Sequence, residues 1–339
     1  MAHRPEAGRI TDRRIANARG SLWLTSAYHN ATMKRDGSGG MIGTRERHSS
    51  EKKEMINTLH ITSGDSAGDR LTRSGFPGEV FVWHDILYDG PRNPGWPDEN
   101  TLNDRALFLE QVTGGGLSRE PILDTLKDQY LKLTDVAAYD RIVLWFDACL
   151  FDQSMLVHIL ACLNLKGIRK VELLCVDAFP GIVPFNGLGQ LQPDQLASLY
   201  DNRRPVSDAQ FEFAILTDKA FATQDPVLLS YLSQTTEAPL PWIPAAVTRW
   251  LKEQPDPVTG LGELERLALQ AILDGCETPT RIFSTVAAGG YSSPILGRHD
   301  IMGEDKRTGG SRSSAGSNRR TDGAVAPMDG HDGSGRLQD

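Results

Sequence analysis

The sequence predicts an α/β fold: a mostly parallel, open sheet of about four strands with flanking helices, followed by an all-helical C-terminal region. Three observations predict it. Short β-rich runs alternate with helix-like segments between residues 57 and 176, the pattern of helices laid on both faces of a sheet. One of those runs, RIVLWF (141–146), is apolar without alternation, as in strands buried on both faces of a parallel sheet. From residue 207 onward only the helical period recurs.

Taken in order, NTLHIT (57–62) is an alternating strand. GDS follows it, then a short helix, SAGDRLTRSG, with Ser66 placed to cap it. EVFVWH (79–84) is the second strand and runs into a loop crowded with Gly, Pro, Asp and Asn. Residues 101–113 and 118–133 read as helices on either side of a Gly-Gly-Gly break. The 141–146 strand leads into the apolar helix LFDQSMLVHILACLNL (150–165) and the fourth strand, KVELLCV (170–176). A Gly/Pro loop then opens a helix at Pro193, an allowed first-turn position. Helices follow over 207–222, 226–234, 241–253, 261–274 and 279–287, the last pair with the outline of a helix-turn-helix.

Charge divides the chain. Residues 1–55 carry a net +5, residues 56–288 a net −13, and the last 51 residues none, within a total of −8. An acidic body repels nucleic-acid backbone, so nucleic acid is not the expected partner. No run of 18 apolar residues marks a membrane span and no apolar stretch marks a secretory leader. The four cysteines form no CxxC pair and sit mostly in apolar runs, which fits a reducing, cytoplasmic setting better than a disulfide framework. Residues 1–54 and 289–339 are rich in Gly, Ser and Arg and hold too little apolar surface to offset chain entropy. The first is expected to be a disordered extension or a mis-assigned start, since Met55 immediately precedes the first strand and SSEKKEM suits a purine-rich ribosome-binding stretch. The second is expected to be a disordered or frameshifted tail.

In an open α/β sheet ligands bind beyond the carboxyl ends of the strands. Every strand here is followed by an acid: Asp65 with Ser66, Asp85 with Asp89, Asp147 with Asp152, and Asp177. If the strands are parallel these acids share one edge. Three uses stay open there: a metal site, acid–base work, or recognition of a cationic or hydroxylated ligand. Each acid taken singly also suits a helix cap. Trp83 and Trp145 close two strands, as core residues or as walls of the cleft. His84 would serve Ser66 as a base only if adjacent strand ends bring them together. The Asp-x-x-His block that GDS-type esterases need is absent, as is the His motif of trypsin-like proteases. NGLGQL (186–191) lacks the Lys-Ser/Thr of a P-loop but suits a backbone phosphate cradle. No Cys/His group has zinc spacing, and no cofactor is indicated.

Five stretches in order, LHITSGDSAGDRL, GEVFVWHDILYDGP, RALFLEQV, IVLWFDACLFDQSML and FPGIVPFNGLGQLQPDQLASLYDNRRPVS, resemble the bacterial family called domain of unknown function 1835. The resemblance covers about residues 57–225. It implies a Rossmann-like α/β domain over 55–192 and a helical extension over 193–288 that stops short of the family's usual end. The family-motif positions are Asp65, Ser66, Trp83, Asp85, Gly90, Pro91, Arg105, Trp145, Asp152, Gln153, Gly187, Gly189 and Gln190. On this basis Asp65, Ser66, Asp85 and Asp152 are the candidate catalytic residues. Trp83, Arg105, Trp145, Gln153, Gly187, Gly189 and Gln190 are the candidate ligand residues, with Arg105 pairing an anionic group. Asp147-Ala148-Cys149 departs from the acidic-His-Asp pattern of the family, which puts activity of this copy in question. The resemblance implies fold and site position but no reaction; the expected function is to bind or act on a small polar ligand, such as a nucleotide or phosphorylated compound, at the carboxyl ends of the strands. The competing expectation is a regulatory protein whose helical end contacts DNA or a protein.

Overall fold

The computed structural model of the chain describes residues 56–113 and 116–288. The expectations for 1–54 and 289–339 lie outside the described residues. The strands are β1 (Thr58–Ser63), β2 (Glu79–Trp83), β3 (Arg141–Asp147), β4 (Val171–Val176) and β5 (Arg204–Pro205). The helices are α1 (Asp65–Arg73), α2 (Glu99–Val112), α3 (Arg119–Asp135), α4 (Leu150–Leu165), α5 (Pro193–Leu199), α6 (Asp208–Thr223), α7 (Pro226–Ser233), α8 (Ile243–Lys252), α9 (Glu263–Leu273) and α10 (Pro279–Ala288).

The sheet runs in the order β2-β1-β3-β4-β5. Its first four strands are parallel, and β5 pairs antiparallel with β4 through Arg204 and Pro205. The expectation of about four strands is therefore met and exceeded by one two-residue edge strand, too short to show alternation. From β1 the chain moves outward to β2, then crosses back over β1 to β3 and continues to β4. Crossovers keep one hand, so reversing direction moves the connecting helix to the other face. Accordingly α1 packs on one face of the sheet and α2, α3 and α4 on the other.

The pleat assigns side chains to each face. Leu59 and Ile61 of β1, Ile142, Leu144 and Phe146 of β3, and Leu173 of β4 point into the larger core, which α2–α4 and α6–α8 cover. Val143, Trp145, Leu174 and Val176 point into the smaller core with Ala67, Leu71 and Leu196 of α1 and α5. Gly68 lets α1 come close to the sheet, since a Cβ there would collide with Val82. Helix α4 is buried along almost its whole length, from Leu150 to Leu163. The sheet lies on one side of it, with α6 and α8 on the others. Two changes from the sequence reading concern helix starts. The cap of α1 is Gly64, at φ 71° with no side-chain cap, and Ser66 sits inside the first turn. Helix α6 is closed by a capping box in which Gln210 N donates to Ser207 Oγ and Ser207 N donates to Gln210 Oε1.

A buried ion network ties α6 to the α/β layers. Asp218 of α6 accepts from Arg92 Nη1 (2.6 Å), His158 Nδ1 (3.0 Å) and Gly95 N (2.6 Å). His158 Nε2 meets Tyr130 Oη at 2.7 Å, and Arg92 Nε donates to the Leu87 carbonyl. The network thus joins α3, α4, α6 and the loop after β2. Among the described residues no helix is long and apolar enough to cross a membrane.

Burial alone would disfavour the His158 imidazolium, but the neighbouring Cys162 sulfur and Asp218 carboxylate outweigh it and raise its pKa to about 9. The folded value lies above the ordinary 6.5. The contribution is therefore fully present below pH 6.5 and is lost as pH rises through 9. Urea unfolding between pH 6 and pH 10 should show a decline of about 3 kcal/mol that is absent in His158→Gln; equal declines in both proteins would refute the assignment.

Candidate functional site

Strands β1 and β3 lie side by side, but α1 leaves β1 toward one face and α4 leaves β3 toward the other. This divergence opens the crevice in which doubly wound sheets bind ligands. The residues at its two banks are Ser63 to Ser66 and Asp147 to Gln153.

The banks are stitched together by Asp152. Its Oδ1 accepts from Ser63 Oγ at the end of β1, and its Oδ2 accepts from Asp147 N (2.7 Å) at the end of β3. Asp147 Oδ1 accepts from Cys149 N (2.9 Å), and Cys149, the N-cap of α4, accepts from Asp152 N through sulfur at 3.3 Å. Gln153 Nε2 donates to the Asp147 carbonyl (2.6 Å) and to Cys175 Sγ (3.3 Å). Asp147, Cys149 and Asp152 offer ligand atoms within 4.8 Å of one another, so a cation could be held there by composition. Burial, then the carboxylates of Asp147 and Asp152, push the Cys149 thiol well up, and both Asp152 oxygens already accept hydrogen bonds. The cluster therefore reads first as the cap of α4.

The Gly/Gln loop after β4 folds over this crevice. A Cβ on Gly189 would sit 3.0 Å from Ser66 Cβ, and one on Gly187 would strike Asp147 Oδ2. Gly187 also has φ 117°, where an L side chain is strained. Arg70 of α1 holds the loop by donating to the Gly189 carbonyl (2.9 Å) and to Gln192 Oε1 (2.9 Å). Gln190 Oε1 turns back to accept from Asn186 N at 2.5 Å. Of the predicted residues, Asp65, Ser66, Asp152, Gln153, Gly187, Gly189 and Gln190 thus gather around one crevice.

A second pair stands beside it. His84, just past β2, meets Asp65 Oδ1 through Nε2 at 2.9 Å. Its backbone N donates to Gln129 Oε1 at 2.5 Å. His84 therefore faces Asp65 rather than Ser66 through this nitrogen. Both groups stay reachable, with side-chain exposures of 12 % for His84 and 33 % for Asp65.

Four predicted residues lie elsewhere, and for each the structure gives a packing role. Arg105 was expected to pair an anionic ligand group. It is buried and donates to Asp85 Oδ1 (2.6 Å) and to the carbonyls of Ile86 (2.7 Å) and Asp89 (2.8 Å). Asp85 is buried with it and accepts from Ile86 N. Together they shape the 85–91 loop, in which Gly90 lies against Phe108 where a Cβ would collide with its ring. Trp83 is fully buried, edge-on to Tyr130 at 5.3 Å. Trp145 is buried on the opposite face, stacked with Tyr200 and donating from Nε1 to His60 Nδ1 (3.1 Å). Desolvation lowers the pKa of His60, which suits a neutral ring accepting at Nδ1. Neither tryptophan walls the cleft.

Sequence reasoning missed Ser63, Arg70, and two tryptophans of the helical region. Trp242 Nε1 donates to Asp177 Oδ2 (3.2 Å) after β4, and Trp250 Nε1 donates to the Tyr88 carbonyl (2.9 Å) after β2. Helix α8 therefore runs from the β4 side to the β2 side along the carboxyl edge. The sequence of α8 and its cap Trp242 carries no signal for this, because both acceptors are more than sixty residues away in sequence.

Gly187→Ala adds a Cβ against Asp147 in a conformation that disfavours it. It should cost about 1–3 kcal/mol in urea unfolding. Gly275→Ala serves as the control, because Gly275 also has a large positive φ (93°) but open space around its Cβ position. Equal costs would show that the loop does not press on Asp147.

No protein-family model matches this chain, and no match is found among curated proteins.

Proposed function

We propose that this is a cytoplasmic protein that binds or acts on a small polar ligand in the β1/β3 crevice. The observation that carries the reading is the Gly187–Gln190 loop, closed over Ser66 and Asp147 and tethered by Arg70. Such a loop brings bare backbone to the crevice at the place where doubly wound sheets bind ligands. Support also comes from the resemblance to the domain of unknown function 1835 family, whose motif residues include this loop and both banks. Asp65, Ser66 and Asp152 supply hydrogen-bonding groups for hydroxyls. The first-turn N–H groups of α1, beside Gly64, which has no capping side chain, suit a partial or full negative charge. Four unpaired cysteines fit a reducing compartment.

The test is a thermal-shift screen of nucleotides, sugar phosphates, polyols and divalent metals on the full chain. A ligand at a hundredfold excess over its Kd adds about 2.7 kcal/mol, a rise of roughly 5–10 °C for a domain of this size. Asp65→Ala should abolish the rise. A hit that survives both Asp65→Ala and Gly187→Ala places the ligand elsewhere and ends this reading.

A second reading is a regulatory role for the helical end. One observation favours a protein partner for it: Leu269, Ile272 and Leu273 on α9 are exposed, Leu273 by 80 %. DNA suits the same helix poorly, because its first turn carries Glu263 and Glu265. An electrophoretic shift assay at low salt should show no nucleic-acid complex. A complex whose affinity falls steeply with salt would reverse that expectation.

A further inference from the structure

The loop after β2, helix α2 and the carboxyl end of α6 line a cavity of about 450 Å³, within the size range of small-molecule sites. None of its lining residues belongs to either bank of the β1/β3 crevice. Its walls are held by bonds already in place. Arg92 ties the loop to α6 by donating to Asp218 Oδ1 (2.6 Å) and to the Asp218 carbonyl (3.2 Å). Asn93 ties the loop to α2, donating from Nδ2 to Thr101 Oγ1 (2.9 Å). A ligand entering here would not have to order its own walls, which is what preorganisation contributes to affinity.

The groups left over in the cavity are mostly acceptors. Asp104 stands one turn after Thr101 on α2, and it makes no hydrogen bond or ion pair among the described residues. Asn93 Oδ1 is likewise without a partner among them. Helix α6 ends at Thr223, and the last carbonyls of a helix have no partner within it. That end is the negative pole of the helix dipole, and no basic side chain in the last turn offsets it. The one guanidinium in the wall, that of Arg92, already faces Asp218. Gln224 completes the lining in the left-handed region, at φ 50°, where glycine is the residue without strain. Its carboxamide makes no hydrogen bond among the described residues, so the fold draws no bond from the side chain that makes this position strained.

We propose that this cavity is a second ligand site, which takes a small organic ammonium ion through the Asp104 carboxylate, the last carbonyls of α6 and the carboxamide oxygens of Asn93 and Gln224. An ammonium group brings three donors and no acceptor, which matches a lining of acceptors. An anion would instead meet Asp104 and the negative pole of α6. The net charge of −13 on residues 56–288 draws cations toward the same surface. The charge of Asp104 supplies most of the attraction, and Gln224 closes on the ligand from the α6 side.

The full chain is titrated calorimetrically at low salt with putrescine, a diammonium ion at neutral pH, and with butanediol as its uncharged counterpart. Saturable one-to-one binding of putrescine is expected, and none of the diol. Asp104→Asn keeps the shape and removes the charge, and should weaken binding by about tenfold or more. Asp124→Asn changes another exposed acid, on α3 and outside the cavity, and should leave the affinity unchanged. Gln224→Gly should weaken binding without lowering the Tm, because glycine accepts the left-handed conformation freely. A glutamine with a merely structural role would leave the affinity as it was. No saturable binding, equal binding of the diol, equal losses in Asp104→Asn and Asp124→Asn, or unchanged affinity in either cavity variant overturns the proposal.

Discussion

Everything at the carboxyl edge depends on one constraint: β1 is paired in parallel on both sides, and the chain reaches its two neighbours by moving in opposite directions. Because crossovers keep one hand, this reversal sends α1 and α4 to opposite faces and leaves a gap between their starts. The gap would be a weak point in the sheet if the two strand ends were not joined. Asp152 joins them by accepting from Ser63 on one strand and from Asp147 on the other. It can do so because it lies in the first turn of α4, where a carboxylate is favoured by the helix dipole. One side chain thus closes a seam and sets the floor of the crevice, while Cys149 caps the helix.

Helix α4 transmits that constraint outward. It is apolar on nearly all sides and must be covered away from the sheet as well as against it. Helices α6 and α8 provide the cover, so the helical region shares the larger core with the sheet. Among the polar residues on α4's buried surface, Gln153 and His158 need partners from beyond the helix. Gln153 finds the Asp147 carbonyl. His158 finds Asp218 and Tyr130, and Arg92 completes the set. A buried network of this kind contributes little net stability compared with an apolar core, but removing one member leaves a charge without its counter-ion. Its position between α3, α4, α6 and the loop after β2 makes the approach of α6 specific in register.

How far this was legible in sequence follows from the range of each interaction. The strands and helices declare themselves through periodicity, and Pro193, Ser207 and Pro226 mark their helix starts locally. The gathering of acids at one edge follows from parallel order alone, and Asp65, Asp147 and Asp152 all lie just at or beyond the carboxyl ends of β1 and β3. Asp85 satisfies the same rule, yet it points into the core beside Arg105. Strand order cannot tell a carboxylate that faces the crevice from one that organises a loop beneath it. That distinction depends on a partner twenty residues away on α2. His84 illustrates the converse. The sequence offers it only Ser66 as a partner, whereas α1, started at Gly64 rather than Ser66, presents Asp65 to it instead.

That shift of two residues at the start of α1 is what separates two kinds of site. With Ser66 as cap, its hydroxyl would be spent on the helix and Asp65 would lie outside in the turn. With glycine at the cap in a positive-φ conformation, the helix begins two residues earlier and gains no side-chain acceptor for its leading N–H groups. Asp65 becomes the first helical residue, held against His84 by the helix that carries it. The acid that sequence pattern marks as a cap is thereby released from capping and oriented toward an imidazole. With Gly64 at the cap, the leading N–H groups of α1 have no side-chain acceptor, and the carboxylate at the same helix start is left to meet His84.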